Sequence, residues 1–385
     1  LIEVESGQVF NERHHAMFTS VTIENFRCFE RLELQKLGRV NLLVGKNNCG
    51  KTSVLEAVRL LCEGTDSLNP IFDALGFRRE FIQPEIIRDG RGVSRQQFDV
   101  RCLFHGRNLK QGQSFCINGI NAKGIVLEFK AVVESDKDGL FPTSIQIEKE
   151  FDQIISINFR NASIKNSREL GVNSVGGVIG GDVYSPRRPY VPSFSRSRPL
   201  FKEKSLFVPA SSLDRQNLIA LFESISLMPE ENDIVLALKI IDSGIERIAT
   251  NSSLGEFKVL TSEGTQPVSL GSLGEGVSRM LGIAISLVSV KGGFLFIDDI
   301  DTGLHYSTME KMWELVWETA KKLDVQVFAT THSDDCWRSL ATIAERDDAK
   351  TEGVSIQRIE KGKTKAINFT GREIVIAAER LGEVR

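Results

Sequence analysis

Gly45-Lys46-Asn47-Asn48-Cys49-Gly50-Lys51-Thr52 decides the reading of this chain. Two glycines with four residues between them, followed by Lys and Thr, fit the phosphate-binding loop pattern. The flanks agree. Val40-Asn41-Leu42-Leu43-Val44 reads as a short buried strand, and Lys51 to Cys62 reads as a helix with Val54, Leu55, Val58 and Leu61 on one face. Strand, glycine-rich loop and helix N-terminus together make an anion site, because backbone N–H groups curl around phosphates and the helix dipole adds favourable partial charge. The pattern predicts a nucleoside-triphosphate site built from Gly45, Asn47, Asn48, Cys49, Gly50, Lys51, Thr52 and Ser53. Lys51 is expected to reach the β- and γ-phosphates, and the Thr52 hydroxyl to ligate Mg²⁺.

Companion chemistry lies far along the chain. Gly293-Phe294-Leu295-Phe296-Ile297-Asp298-Asp299 is an apolar strand running into two carboxylates. Ligand sites of parallel sheets lie at the strands' C-terminal ends, so these acids are expected beside the phosphate loop. Asp298 is assigned to the Mg²⁺ shell, directly or through water, and Asp299 to orienting or deprotonating the attacking water. A further strand, Val325-Gln326-Val327-Phe328-Ala329, leads into Thr330-Thr331-His332-Ser333 and brings His332 towards the γ-phosphate. The helix between them, with Met309, Trp313, Val316, Ala320 and Leu323 inward, completes a crossover. Ser272-Leu273-Gly274-Glu275 precedes a helix whose core face carries Met280, Leu281, Ala284, Leu287 and Val288. That helix start is a second anion site, one that needs a phosphate from elsewhere.

Composition sets the frame. The 385 residues are 41% hydrophobic and 26% charged, ordinary for a globular protein with a sizeable core. A net charge of −3 gives no global basic field for nucleic acid. No apolar run approaches the roughly 20 residues that span a bilayer, so no membrane partner is expected. The six cysteines are scattered without a C-x-x-C pair, which suits reduced thiols and a cytoplasmic protein.

The remaining segments are less specific. Residues 1–16 are polar and aperiodic, with His14-His15 just before Met17, and read as a tag or disordered leader. Val21-Thr22-Ile23 and Leu32-Glu33-Leu34 predict an N-terminal antiparallel element. Gln83, ahead of Pro84, reads either as a γ-phosphate sensor acting through Mg²⁺ or as a plain surface residue. Phe98–Phe104, Ile125–Val133 and Ser144–Phe151 predict a β meander within 96–155. Residues 160–205 read as a flexible loop region ending in Arg187, Arg188, Arg196 and Arg198, with Tyr190 and Phe194 interleaved. That run is either a solvated loop or a contact for phosphates and bases. Residues 211–250 read as a helical insertion, with stripes at Leu218, Leu221, Phe222 and Ile225 and at Ile234, Leu238, Ile241 and Ile245.

In this order, Ile23-Glu24-Asn25-Phe26-Arg27, the loop 45–52, Ser272 to Glu275, Phe296 to His305 and Thr331-His332-Ser333 carry a resemblance. From Phe18 onward the chain resembles ABC-superfamily ATPases of the SMC/RecF-like branch, and within it the OLD-family (AAA_15/AAA_21-type) ATPases. The resemblance implies an α/β fold over 17–385, an ABC-type P-loop ATPase domain with a mostly parallel core sheet. It implies ATP and Mg²⁺ as cofactors, and adds Asn25, Arg27, Ser272, Gly274 and Glu275 to the nucleotide-binding set. ATP would be sandwiched between two protomers, with Lys51 and Thr52 of one facing Ser272 and Gly274 of the other. His332 becomes the switch histidine, and His305 lies near the dimer seam.

Two departures from the family pattern qualify this. Asp299 stands where the family has Glu, which predicts slow hydrolysis or a nucleotide-gated clamp. The chain ends at Arg385, about where OLD nucleases continue into a Toprim domain, so a separate effector, a Toprim nuclease in anti-phage defence, is the expected partner. The alternative is a RecF-like DNA-binding ATPase of repair or recombination. A transporter motor is disfavoured by the long gap between Thr52 and Ser272 and by the Asn25-Phe26-Arg27 opening.

Overall fold

Every residue of Val40–Val44 is buried, and the chain is built outward from that strand. The computed structural model describes residues 17–64, 68–82, 97–135, 153–162, 165–173, 175–178, 205–251, 254–264 and 266–380. Val40–Val44 lies inside a six-stranded sheet ordered Ser205–Val208, Phe294–Ile297, Gln326–Thr330, Val40–Val44, Val354–Arg358, Ile367–Thr370. The first five strands run parallel and the last is antiparallel, as in an α/β fold with a mostly parallel core.

Side chains alternate across this sheet and sort two cores. Val40, Leu42, Leu295, Ile297, Val327 and Ala329 face a layer of helices that includes Glu275–Ser289 and Met309–Leu323. Leu43, Phe207, Phe294, Phe296 and Phe328 face the opposite way, where Phe296 and Phe328 stack with ring centroids 5.6 Å apart. Asn41 is the one polar residue of the central strand, and it is satisfied. Its amide donates to the Gly38 and Val327 carbonyls at 2.8 and 3.2 Å, and its Oδ1 accepts from Ser355 Oγ at 2.9 Å.

Helix Lys51–Glu63 lies between this sheet and a second one. The second sheet is wholly antiparallel, ordered Phe29–Leu34, Phe18–Phe26, Ser114–Asn121, Val126–Ser135, Gln153–Arg160, Lys165–Val172. Covered from both sides, the helix is buried well beyond the single face its periodicity suggests, Ser53 and Glu56 included. Gln326 ties the sheets together: its Oε1 accepts from Phe18 N at 2.8 Å, and its Nε2 donates to the Phe18 and Gly38 carbonyls.

Several segments differ from the sequence reading. The N-terminal hairpin and the meander are one sheet, not two elements. Gln97–Asp99 leaves it for a three-stranded ribbon with Phe81–Ile82 and Gly177–Val178, and Val100–Leu103 is a 3₁₀ turn capped by the Asp99 carboxylate. Within 160–205, Lys165–Val172 is a strand, because backbone pairing along Gln153–Arg160 outweighs its polar composition. The helical stretch 211–250 holds helices Arg215–Ile225 and Glu231–Lys239, then turns at Gly244 into strand Ile245–Asn251. Ile245 therefore starts a strand paired with Glu256–Thr261, where β-branched residues pack well. Residues 1–16, Gln83, Ser144–Phe151 and the arginines 187–198 lie outside the described residues. Among the described residues no helix is long and apolar enough to cross a membrane.

Candidate functional site

The loop 45–50 leads from the C-terminal end of Val40–Val44 into helix Lys51–Glu63, with Lys46, Asn47 and Asn48 exposed and Cys49 buried. Gly50 is held at φ 104°, and a Cβ there would lie 2.4 Å from Phe29 Cζ and 2.6 Å from Cys28 Sγ. Only glycine fits. Lys51 turns back over the loop: its Nζ donates to the Gly45 carbonyl at 2.9 Å and sits 3.2 Å from His332 Nδ1. Burial pushes its ammonium below the usual lysine range, with the charges of Asp299 and Asp298 opposing that shift. An ammonium has no acceptor, so Nδ1 of His332 accepts and Nε2 carries the ring proton.

Strand Phe294–Ile297 delivers both acids to the same place. Thr52 Oγ1 lies 3.1 Å from each Asp298 oxygen, and Thr330 Oγ1 donates to Asp298 Oδ1 at 2.7 Å. Thr330 Oγ1 also accepts from Asp299 N at 2.8 Å. Asp299 has φ 46°, a left-handed conformation that turns its carboxylate away from the strand path, and its Oδ1 lies 3.8 Å from His332 Nε2. Burial raises the Asp299 carboxyl above the usual aspartate range, and the neighbouring Asp298 charge adds to it. Behind the pair, buried Arg279 donates to the Asp299 and Asp298 carbonyls at 3.1 and 3.4 Å.

Lys51, Thr52, Ser53, Asn48, Asp299 and His332 line one cavity of about 300 Å³. Arg27, Arg78, Glu80 and Arg107 form part of its wall. Arg27 is turned to carboxylates, its Nε 2.5 Å from Glu56 and its Nη1 2.9 Å from Glu80, so its guanidinium is already engaged. Arg78 shares Glu56 and donates to Ser53 Oγ at 3.1 Å. Asn25 is exposed at φ 54° and is not part of the cavity wall.

Ser272, Gly274 and Glu275 are brought to a different surface. All three are exposed and none lines the cavity of Lys51. Gly274, at φ 100°, is the N-cap of helix Glu275–Ser289, with open space around it. His305 is exposed too, its ring tilted against that of Tyr306 with centroids 4.2 Å apart.

Sequence reasoning missed Thr330, Arg279 and Arg78. Thr330 was visible as the last residue before the Thr331-His332 turn. Arg279 carried a signal as a lone arginine leading the apolar run from Met280 to Val288. Nothing in the sequence linked Arg78 to the loop. Among the described residues no group of three or more His, Cys, Asp or Glu side chains is arranged to hold a metal ion. The Thr52 hydroxyl and Asp298 carboxylate nevertheless converge as hard oxygen donors, a pair that fits Mg²⁺ completed by phosphate oxygens and water.

The AAA_21 family, described as "AAA domain, putative AbiEii toxin, Type IV TA system", matches residues 40–335. An "ATP/GTP phosphatase" of Helicobacter pylori is 22% identical over 354 residues, covering 86% of this chain and 90% of that protein. The "DNA replication and repair protein RecF" of Clostridioides difficile is 47% identical over 45 residues, 12% of each chain. Among solved structures, the SMC head domain from Thermotoga maritima aligns over 92% of this chain and 98% of its own, with 11% identity and a TM-score of 0.42.

Proposed function

The chain belongs to the AAA_21 family of AAA domains, as an ABC-type ATPase of the SMC/RecF-like kind, and on that premise we propose that ATP joins two copies of it into a nucleotide-gated clamp. The observation that carries this is the separation of the two anion-binding motifs. One chain offers a cavity with Lys51, Thr52, Asp299 and His332, while Ser272 and Gly274 stand exposed elsewhere. A triphosphate held by one copy is completed by the exposed motif of the other.

Within the cavity, Lys51 holds the β- and γ-phosphates and exchanges its bond to His332 for one to phosphate oxygen. Thr52 and Asp298 hold Mg²⁺, which neutralises phosphate charge. Asp299 accepts the proton of the attacking water as its oxygen bonds to the γ-phosphorus and the bond to the β,γ-bridging oxygen breaks, giving ADP and phosphate. His332 then faces the protonated carboxyl from Nε2. The short Asp299 side chain supports slow turnover, with the clamped state as the working form.

The resemblance to OLD-family ATPases supports a separate effector, a Toprim nuclease in anti-phage defence, as what the clamp controls. All six cysteines are free thiols, which supports work in the cytoplasm. The RecF match favours a second reading, a DNA-binding ATPase of repair, in which duplex DNA stimulates hydrolysis.

The deciding experiment measures ATP hydrolysis and mass in solution with and without ATP for the native protein, Lys51→Ala and Ser272→Arg. The clamp reading expects an ATP-dependent dimer that both substitutions abolish, with ATP binding lost in the first and kept in the second. A protein that stays monomeric with ATP bound overturns it. Stimulation by duplex DNA moves the reading to repair.

A further inference from the structure

The structure holds a second opening, a cleft of about 790 Å³ that shares no lining residue with the phosphate cavity. It lies beyond the C-terminal end of edge strand Ser205–Val208, and Glu275 of the motif 272–275 lines it together with the neighbouring Gly271 and Ser278. Arg215 lines it as well.

Arg215 is poorly placed for stability. It is the first residue of helix Arg215–Ile225, after the Asp214 cap, where the positive end of the helix dipole favours an acid over a base. It is exposed, and among the described residues it has no carboxylate partner. A second guanidinium in the same wall repeats the pattern. Arg279 is 6% exposed and donates only to a hydroxyl and two main-chain carbonyls, with its Nε left unpaired. The hydroxyl is that of Ser212, held at φ 67°, which accepts from Arg279 Nη1 at 2.6 Å. Two guanidiniums without a carboxylate partner, beside an exposed helix N-terminus, leave this wall able to take an anion, although Glu256 and Glu275 also line the cleft.

We propose that Arg215 contacts the terminal phosphate of ATP bound to the phosphate loop of a second copy of this chain, and stabilises the charge that develops there during hydrolysis. This rests on the clamp reading, since Ser272 and Gly274 must face the same nucleotide. In the phosphate cavity Lys51 sits beside Asp299, Arg27 is committed to Glu56 and Glu80, Arg78 to Glu56, and Arg107 is the remaining wall cation, so an arginine from a second copy would add to a partly committed set. A guanidinium stays charged and takes no proton, so the proton of the attacking water still goes to Asp299. Arginines supplied across an interface raise turnover by roughly 10³–10⁵ in phosphoryl transfer.

The test is complementation between inactive copies. Arg215→Ala is expected to lower turnover at least about 100-fold, with ATP binding to the single chain unchanged and Arg215→Lys restoring part of the rate. Mixing Arg215→Ala with Lys51→Ala leaves one composite site intact if Arg215 acts across the interface, and none if it acts within its own chain. Activity in that mixture, absent from either variant alone, is the expected result. A parallel mixture of Ser272→Arg with Lys51→Ala tests the clamp itself. Recovery there without recovery in the Arg215 mixture overturns the proposal and leaves the clamp standing. Recovery in neither removes both, and full activity of Arg215→Ala alone removes the proposal.

Discussion

Thr330 Oγ1 donates to Asp298 Oδ1 at 2.7 Å while accepting from the backbone N–H of the next acid, and it is fully buried. One hydroxyl therefore aims the proposed metal ligand and fixes the turn that carries the proposed base. Groups that orient ligands in this way are worth about 10–100-fold in metal affinity. Thr330→Val keeps the shape and removes the bond. The Mg²⁺ concentration that half-saturates binding of a fluorescent ATP analogue should rise by about that factor. An unchanged requirement takes Thr330 out of the site.

Asp299→Asn should lower turnover by about 10²–10⁴ while leaving the ATP-linked dimer intact, because it removes the proton acceptor and little else. Asp299→Glu lengthens the side chain by about 1.5 Å, one carbon–carbon bond. Single-turnover rates should rise, and thermal stability should fall slightly, since φ 46° suits Asp better than Glu. A slower Asp299→Glu enzyme would show that reach does not limit the native protein.

Gly50→Ala places a methyl group 2.4 Å from Phe29 Cζ at a positive φ. The clash and the left-handed backbone together should cost about 2–4 kcal/mol in urea unfolding and abolish ATP binding. Wild-type binding in this variant would mean that the loop rearranges freely.

Asp348 predicts a pH signature remote from the site. Its Oδ2 accepts from Lys321 Nζ at 2.5 Å and Trp317 Nε1 at 3.1 Å, with Arg346 on the other oxygen. The Lys321 bond, then those of Trp317 and Arg346, hold the carboxyl well below the usual aspartate range. A depressed carboxyl stabilises the fold above its unfolded value near 3.9 and loses that contribution as pH falls. The melting difference between native protein and Asp348→Asn should be flat from pH 8 to 5, about 1 kcal/mol or less for so exposed a group, and should shrink below about pH 4. A difference that grows in acid would contradict the assignment.

The phosphate loop and the paired acids were legible because their chemistry is contiguous: strand, glycines and helix start lie within a dozen residues, as do Phe294 and Asp299. Thr330 and Arg279 stood out only by position, and their roles were not legible, because these depend on the left-handed turn at Asp299, which no local pattern announces. Arg27 lines the cavity, but its ion pairs were not legible for a related reason. Its partners Glu56 and Glu80 come from separate segments, and only the packed helix Lys51–Glu63 brings them together. Lys165–Val172 reads as polar loop by composition and becomes a strand through its neighbour's hydrogen bonds.

The position of Val40–Val44 also constrains how the protein is made. Asn41 bonds to Val327 across 286 residues of chain and to Ser355 across 314. Both neighbours of the loop-bearing strand are thus synthesised long after it. At roughly 5–20 residues per second, a ribosome leaves that strand unpaired for about 15–60 s. The antiparallel sheet, whose later hairpins pair close in sequence, has time to form first. The nascent phosphate loop then waits on an exposed apolar strand, a window in which a holding chaperone would find its substrate.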